Sequence, residues 1–269
     1  MNIKILVAAH KKYRMPEDKI YFPVQVGSYG KENIGFARDD EGDNISQKNP
    51  YFCELTGLYW IWKNVDADYY GLVHYRRYFS AVPKIKRTSH DKFRYILDEA
   101  TLENILKDYD IVVPKKRKYF IESLYSHYAH THYEEHILIT EKVIKEICPD
   151  YEASFKKVMK SSSAHMFNMM IMSKEKFNEY CKWLFDILFE IEKRIDITQY
   201  DAYQARLFGR ISELLLDVWI GKNSYRYKEV GLLYMEKMDW KNKICSFIKA
   251  KFGGKKYDRS FCPRSYIFY

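Results

Sequence analysis

The sequence lacks several features that would assign it to a familiar class. It has no apolar run approaching the roughly 18–20 residues that a membrane-spanning helix needs. Its five cysteines are an odd number and form no C-x-x-C pair, which excludes a zinc framework or a disulfide scaffold. The opening segment MNIKILVAAHKKY has too short an apolar run for a signal peptide. We therefore expect a chain that works in the reducing cytoplasm.

Internal repeats and low-complexity segments are also missing. The 269 residues fit one large domain, or one domain with a small appendage. Aromatic residues make up 17% of the chain and include 25 tyrosines. Because a buried tyrosine hydroxyl needs a polar partner, this content favours a wet cleft with stacking faces, as sugar and nucleobase sites have. The amino-acid bias of an AT-rich genome is the alternative explanation.

The net charge of +9 indicates an anionic partner. A nucleic acid, a nucleotide diphosphate and an anionic lipid surface all satisfy this condition. The basic residues do not form one stripe interleaved with aromatics, except near the C-terminus, and no nucleic-acid-binding motif is present. We therefore expect no nucleic-acid partner.

The hydrophobic pattern alternates between strands and helices. Strands are predicted at residues 3–9, 20–26, 69–75, 109–113, 165–173 and 225–235, and helices at 51–63, 98–107, 133–147, 150–160, 174–194 and 200–219. A long loop, residues 27–49, separates the second strand from the first helix. The alternation predicts an α/β domain with a largely parallel sheet flanked by helices, in which ligands bind beyond the carboxyl ends of the strands.

Basic residues follow two of these strands. His10-Lys11-Lys12 comes after the first strand, and His74-Tyr75-Arg76-Arg77 follows the strand at 69–75. We expect both groups to lie near one crevice. Arginine suits bidentate recognition of phosphate, so Arg76 and Arg77 are candidates to bind a diphosphate. A structural pairing with a carboxylate such as Asp68 is the alternative.

The loop segment RDDEGDNISQKN concentrates acidic and amide side chains. Asp39, Asp40, Asp43 and Asn44 could grip sugar hydroxyls or a ribose, or hold Mg or Mn through hard oxygen ligands. The spacing does not match an EF-hand. A solvated acidic turn explains the same residues.

Other residues are weaker candidates. Four histidines, His127, His130, His132 and His136, fall within ten residues, but no H-E-x-x-H pattern accompanies them, so a surface or substrate-lining role is favoured over metal binding. His165 and Asn168 flank a predicted strand. Asp40, Asp201 and Glu213 are the candidates for catalysis, and each could serve as a general base if the carboxylate faced the crevice. Solvated or ion-paired carboxylates are the more ordinary interpretation.

The C-terminal segment differs from the rest. In residues 238–256, Trp240, Ile244, Phe247 and Phe252 share one face of a predicted helix that lysines surround. The pattern is typical of a helix lying on an anionic membrane, although a helix packed on the core would show it too. We therefore divide the chain into a domain at residues 1–237 and a basic amphipathic tail at 238–269.

At residues 36–79 the sequence becomes recognisable. FARDDEGDNISQKNPYFCELTGLYWIWKN, followed by YYGLVHYRRYF, resembles the family catalogued as domain of unknown function 4422. The resemblance extends to ILVAAHK, SHYAHTHYEEH, FNMMIMS and RLFGRISELLLDVWI. Members resemble capsule and O-antigen glycosyltransferases, and the family has been equated with glycosyltransferase family 111, which includes β-galactofuranosyltransferases.

The resemblance implies a GT-A-like, Rossmann-like fold and transfer of a sugar, galactofuranose above all, from a UDP-sugar. The acceptor would be a lipid-linked glycan in bacterial surface polysaccharide synthesis, and the enzyme would be inverting and peripheral on the inner face of the membrane. Residues implied to line the site are His10, Lys11, Asp39, Asp40, Asp43, Asn44, Lys48, Asn49, Glu54, His74, Arg76 and Arg77.

Metal dependence is the uncertain part of this resemblance. Many GT-A enzymes carry an Asp-x-Asp metal motif where this chain has His-Tyr-Arg-Arg. We expect a metal-independent enzyme in which arginines offset the diphosphate charge; Mn or Mg held by Asp39, Asp40 or Asp43 is the alternative. Two other functions compete: a transferase that uses another nucleotide sugar, and a non-catalytic scaffold of capsule synthesis.

Overall fold

A computed structural model describes residues 1–236, so the predicted C-terminal tail at 238–269 lies outside the described residues. The strands are β1 Ile3–Ala9, β2 Tyr21–Gln25, β3 Ala37–Arg38, β4 Tyr69–His74, β5 Arg77–Ser80, β6 Ile111–Pro114, β7 Arg117–Lys118, β8 Ser163–Ala164, β9 Met170–Ser173 and β10 Tyr227–Tyr234. The helices are α1 Asn49–Phe52, α2 Leu55–Asn64, α3 Glu99–Leu106, α4 Leu124–Thr131, α5 Glu135–Ile147, α6 Glu152–Lys160, α7 Lys174–Glu192 and α8 Leu207–Asn223. The predicted α/β class is confirmed.

The main sheet has eight strands in the order β3-β2-β1-β4-β5-β10-β6-β9, and β9 also pairs with β4. Strands β1, β2, β3 and β4 run parallel to one another, and β6 runs parallel to β10. Strands β5 and β9 run antiparallel to the strands beside them. The expectation of a largely parallel sheet is therefore wrong for the half formed by β5, β10, β6 and β9, which is mixed. The chain reverses directly after β4 to form β5.

Two predicted elements are interrupted by residues with a positive φ. The helix predicted at 51–63 breaks at Cys53, whose φ is 55°, and so becomes α1 and α2. The strand predicted at 165–173 shortens to β9, because Phe167 and Asn168 have φ values of 79° and 53°. Positive φ values at one or two residues leave no trace in a hydrophobic pattern, which explains both errors.

Two helices, α8 and α4, also differ from the prediction. Helix α8 begins at Leu207, and the segment before it, predicted as helical from residue 200, forms short 3-10 turns. Helix α4 was not predicted. Its mixture of tyrosine and histidine gives only a weak apolar stripe, so periodicity could not reveal it.

The core lies on both faces of the sheet. In β1, Leu6 and Ala8 pack into the larger cluster, which includes residues of α2, α5, α7 and α8, whereas Ile5 and Val7 pack into the cluster on the opposite face, which α3 covers. Because β1 is buried on both faces, its sequence is a continuous apolar run, and such a run predicts a buried strand. Within residues 1–236, no helix combines the length and apolar character required to span a bilayer.

Candidate active site

A cleft of about 960 Å³, counting the part open to solvent, opens at the carboxyl ends of β1, β2 and β4. The lining residues are Ala8, His10, Val26, Lys31, Asn49, Pro50, Cys53, Glu54, His74, Tyr75, Arg76, Ala202, Tyr203 and Arg206. Six of the predicted site residues, His10, Asn49, Glu54, His74, Tyr75 and Arg76, are thus brought together.

The walls of the cleft are basic. Arg76 is mostly buried and forms a salt bridge with Glu236, with Nη1 3.0 Å from Oε2. Arg206 reaches the same cleft and donates from Nε to the Cys53 sulfur at 3.1 Å. Burial, reinforced by the positive charge of Arg76, lowers the pKa of His10 to about 4. His10 is therefore neutral at physiological pH, and the cationic character comes from the arginines and Lys31.

Glu54 is the one carboxylate side chain in this lining, and a polar network orients it. Its Oε1 accepts a hydrogen bond of 2.7 Å from Nδ2 of Asn168. The same Nδ2 donates to the Gly209 carbonyl at 3.0 Å, and the Asn168 oxygen accepts from Ser212 at 2.8 Å. Asn168 is buried and held from two sides of α8, so it fixes the position of the Glu54 carboxylate rather than lining the cleft itself.

His74 and Tyr75 form the base of the cleft at the end of β4. Burial lowers the pKa of His74, and its Nε2 donates to the carbonyl of Phe167 at 2.7 Å. The Tyr75 hydroxyl lies 3.4 Å from Nε2 of His10, and the two rings meet edge to face. Lys11 does not line the cleft; its ammonium lies 5.7 Å from the centre of the Tyr75 ring.

Glu213 and Arg77 lie close to this cleft but outside its lining. Burial, and then the neighbouring charge of Glu54, raises the pKa of Glu213 to about 7. The Arg77 guanidinium packs 4.6 Å from the centre of the Phe167 ring, and burial lowers its pKa to about 10. A carboxyl group that titrates near neutrality beside a second carboxylate is a common feature of catalytic sites.

Asp39 lies within the long loop, and its side chain faces the protein. Its two carboxylate oxygens accept five hydrogen bonds, from the backbone of Gly27 and Ser28 and from the hydroxyls of Ser28, Ser46 and Thr56. The side chain is fully buried. Asp39 therefore joins the end of β2, the loop and α2.

The other predicted residues of this loop also bind the protein. Asp40 accepts two hydrogen bonds from Arg38, at 3.0 and 2.7 Å, and this contact lowers the pKa of Asp40. Asp43 accepts from the Tyr59 hydroxyl at 3.1 Å. The side chain of Asn44 donates to the carbonyl oxygens of Asp40 and Gly42. These contacts give the loop a defined shape beside the cleft.

Of the two remaining predicted residues of this region, Asn49 lines the cleft and Lys48 does not. Lys48 forms a 2.6 Å salt bridge with Glu192 on α7. Asn49 lines the cleft and donates to the Cys53 carbonyl at 2.7 Å. Gly27 lies so close that a Cβ there would approach the Asn49 side chain to 2.3 Å, and its φ is 61°. Glycine at this position lets the end of β2 approach the start of α1.

The remaining candidates lie around the cleft or away from it. Asp201 is exposed and accepts from the backbone of Tyr203 at 2.7 Å, so it stabilises the turn that brings Tyr203 to the cleft. Nδ1 of His132 lies 3.0 Å from Oε1 of Gln204. His165 is fully buried, with its ring nitrogens 2.6 Å from Asp217 and 3.0 Å from Glu229.

No group of three or more His, Cys, Asp or Glu residues within the described range 1–236 is placed to hold a metal ion. The four histidines that are clustered in the sequence each contact another side chain of the protein. His127 and His130 both contact the buried Glu122 at 3.1 Å, and His136 lies 3.0 Å from the Tyr128 hydroxyl.

Among the lining residues that sequence reasoning missed, Lys31, Tyr203 and Arg206 have charged or aromatic side chains. Lys31 lies in the long loop, whereas Tyr203 and Arg206 lie in a segment predicted as regular helix. The only available signal was the start of the motif RLFGRISELLLDVWI, which begins with Arg206. The position of Arg206 in the cleft depends on its contact with Cys53. Because Cys53 is far away in the sequence, no local pattern reveals this contact.

The family model described as "Domain of unknown function (DUF4422)" matches residues 4–224. The chain belongs to the DUF4422 family. No curated protein matches it. Among solved structures it is similar to WbbM, a bifunctional glycosyltransferase in its apo form, with 30% sequence identity and a TM-score of 0.82.

The similarity to WbbM covers 88% of this chain and 46% of that one. This member of the DUF4422 family thus spans less than half the length of WbbM. The matched family segment includes every strand up to β9 and all the helices, and hence all the residues that line the cleft.

Proposed function

We propose that the chain is a glycosyltransferase that uses a nucleotide-sugar donor. The observation that carries the proposal is a basic cleft with a single carboxylate, at the strand ends where α/β sheets bind ligands, in a chain that resembles part of a glycosyltransferase. A nucleotide diphosphate supplies the anionic group that such a cleft fits, and the tyrosines provide stacking faces for a base or a sugar.

In this mechanism the cations bind the diphosphate. Arg76, Arg206 and Lys31 surround the cleft and would offset the negative charge that develops on the leaving nucleotide diphosphate as the bond from the sugar to the phosphate oxygen breaks. These groups carry charge without a metal, which supports a metal-independent reaction. Mn or Mg bound through the loop carboxylates remains the alternative, and the contacts of Asp39 and Asp40 with the protein weigh against it.

Glu54 is the proposed general base. Its carboxylate would accept the proton of the acceptor hydroxyl while that oxygen attacks the anomeric carbon and the nucleotide diphosphate leaves, which inverts the configuration of the sugar. Asp40 is engaged by Arg38 and Asp201 by a backbone turn. Glu213, with its pKa near 7, is the second candidate and lies within electrostatic reach of Glu54.

The finer assignments rest on the family resemblance. It supports a GT-A fold, the glycosyltransferase family 111, UDP-galactofuranose as the donor and a lipid-linked glycan of a surface polysaccharide as the acceptor. We propose these identities together with a position on the inner face of the cell membrane, aided by the tail at 238–269. A scaffold of capsule synthesis would have the same fold and tail and would bind no nucleotide sugar.

Replacing Arg76 by alanine tests the diphosphate site. We expect the affinity for UDP to fall about 10- to 150-fold, corresponding to roughly 1.5–3 kcal/mol for one lost charge-assisted hydrogen bond. Isothermal titration calorimetry measures this change. The matched control is Arg226→Ala, because Arg226 is an exposed arginine whose salt-bridge partner is Asp110. An unchanged dissociation constant in Arg76→Ala would remove this residue from the site.

A further inference from the structure

A second group of side chains lies beside the cleft, outside the residues that line it. The guanidinium carbon of Arg77 lies 4.6 Å from the centre of the Phe167 ring and 5.9 Å from the centre of the Tyr234 ring. The two rings meet edge to face, with centroids 6.5 Å apart. Arg77 and Tyr234 are also paired across β5 and β10. Because both rings are partly exposed, a ligand can pack on them beside a positive charge.

The backbone at Phe167 joins this group to the cleft. The carbonyl of Phe167 accepts the hydrogen bond from His74, and its backbone also stabilises the charged form of the Glu213 carboxyl group. The next residue, Asn168, donates to Glu54. The two residues have positive φ values of 79° and 53°. Such values are uncommon outside glycine and persist where the surrounding structure enforces them, often at functional sites.

Glu213 supplies the carboxyl group of this second group. The residue is only partly buried. Burial raises its pKa to about 7, the charge of Glu54 adds to this shift, and the positive charges of Arg77 and Arg117 oppose it. The neutral form of Glu213 is therefore well populated at neutral pH. A neutral carboxyl group can both donate and accept hydrogen bonds, which suits it to contact sugar hydroxyls.

The segment after β6 reaches the same edge of the sheet as the cleft. Strand β9 runs antiparallel to both β4 and β6, so β4 and β6 run in the same direction and end at one edge. The chain continues into β7, which pairs Arg117 with Ala164 of β8. The N–H of Tyr119 donates to the carbonyl of Ser162 at 2.8 Å. These contacts bring β7 alongside the segment that leads from β8 to Phe167.

Arg117 adds a cation that is open to solvent. It is exposed, and its guanidinium carbon lies 4.9 Å from the centre of the Tyr119 ring. Its charge acts on the carboxyl group of Glu213 and on the hydroxyl of Tyr234, and the charge of Glu213 acts on Tyr119 in turn. Stacking on a ring leaves the N–H groups at the edge of the guanidinium able to bind an anion.

We propose that an acceptor subsite lies beside Glu54 and binds a saccharide that carries an anionic group. Its residues are Arg77, Arg117, Tyr119, Phe167, Glu213 and Tyr234. The inference rests on the proposed transferase function, in which Glu54 contacts the acceptor hydroxyl, so the acceptor has to lie next to this carboxylate.

Each kind of side chain in the acceptor subsite then has a part in binding. The aromatic rings provide faces on which a sugar packs, and Glu213 contacts its hydroxyls. Arg117 binds the anionic group by charge-assisted hydrogen bonds. Two arginines beside one carboxyl group give the subsite a positive charge that a neutral sugar would not use.

A ligand-observed NMR titration of the full chain, saturated with UDP, tests the proposal. The probes are three derivatives of one sugar: methyl galactoside, methyl galacturonide and galactose 1-phosphate. We expect an anionic derivative to bind about tenfold or more tightly than the neutral one, the usual effect of a hydrogen bond to a charged group. The tighter of the two anionic probes identifies the group as a carboxylate or a phosphate. Arg117→Ala should remove the preference, and Arg117→Lys should restore part of it.

The matched control is Arg226→Ala, which removes another exposed arginine and should leave the preference unchanged. Equal binding of the three probes, or an unchanged preference in Arg117→Ala, would overturn the proposal. So would a weaker affinity of Arg117→Ala for UDP, because Arg117 would then belong to the donor site. A wild-type protein that binds no UDP would instead contradict the transferase function, and the same titration without UDP would still decide whether Arg117 selects anionic sugars.

Discussion

Replacing Glu54 by glutamine is expected to lower the turnover number of sugar transfer by about 10²–10⁴-fold, the usual contribution of a general base. Glutamine keeps the carbonyl oxygen that accepts the hydrogen bond from Asn168, so the cleft should retain its shape. We therefore expect the affinity for UDP to stay within about twofold, since the proton transfer and not the binding is affected. Steady-state kinetics with calorimetry on the same preparation separates the two effects.

Glu190→Gln is the control for this experiment, because Glu190 forms ordinary salt bridges with Lys193 and Arg194 on the surface of the fold. Its turnover should equal that of the wild type. If Glu54→Gln retains full turnover, Glu54 is not the base. The same assay on Glu213→Gln then shows whether the carboxyl group with a pKa of about 7 takes this role.

Replacing Asp39 by alanine is expected to destabilise the fold by about 3–5 kcal/mol, because hydrogen bonds to a buried charged group are lost and each donor left unsatisfied costs roughly 1–3 kcal/mol. The substitution leaves five donors without their acceptor, two of them backbone amides at the end of β2. Urea denaturation followed by circular dichroism measures the change in the free energy of unfolding.

Asp43→Ala is the matched control in the same loop. Asp43 accepts a side-chain hydrogen bond from Tyr59 at an exposed position, so its removal should cost no more than about 1 kcal/mol. A loss of less than about 1 kcal/mol in Asp39→Ala would show that the loop does not depend on this carboxylate.

Much of the cleft could be predicted from the sequence, because one rule about the ends of parallel strands applies to it. β1 and β4 are continuous apolar runs, and the residues after parallel strands meet at one edge of a sheet, so His10 and Arg76 were expected together and line one cleft. The cleft also gained Arg206 from a segment predicted as helix. Its position results from the break before α8 and from packing against Cys53.

The acidic loop shows the limit of such reasoning. A carboxylate that binds the protein's own amides and hydroxyls has the same sequence pattern as one that binds a substrate, and only the distances around Asp39 distinguish the two. For a similar reason, the sequence did not show that the chain reverses its direction between β4 and β5. Residues 74–77 were interpreted as a basic motif after a strand, and none of the four is a glycine or proline that would mark the turn across which His74 pairs with Arg77.

The most direct test of the account is calorimetry of the purified full chain with UDP, GDP, CMP and their sugars, first in EDTA and then with Mn or Mg. The account predicts specific binding of UDP or a UDP-sugar in EDTA, with an affinity that Arg76→Ala reduces. Binding that requires a metal would overturn the metal-independent mechanism. The absence of nucleotide binding under every condition would contradict the proposed transferase and favour a scaffold.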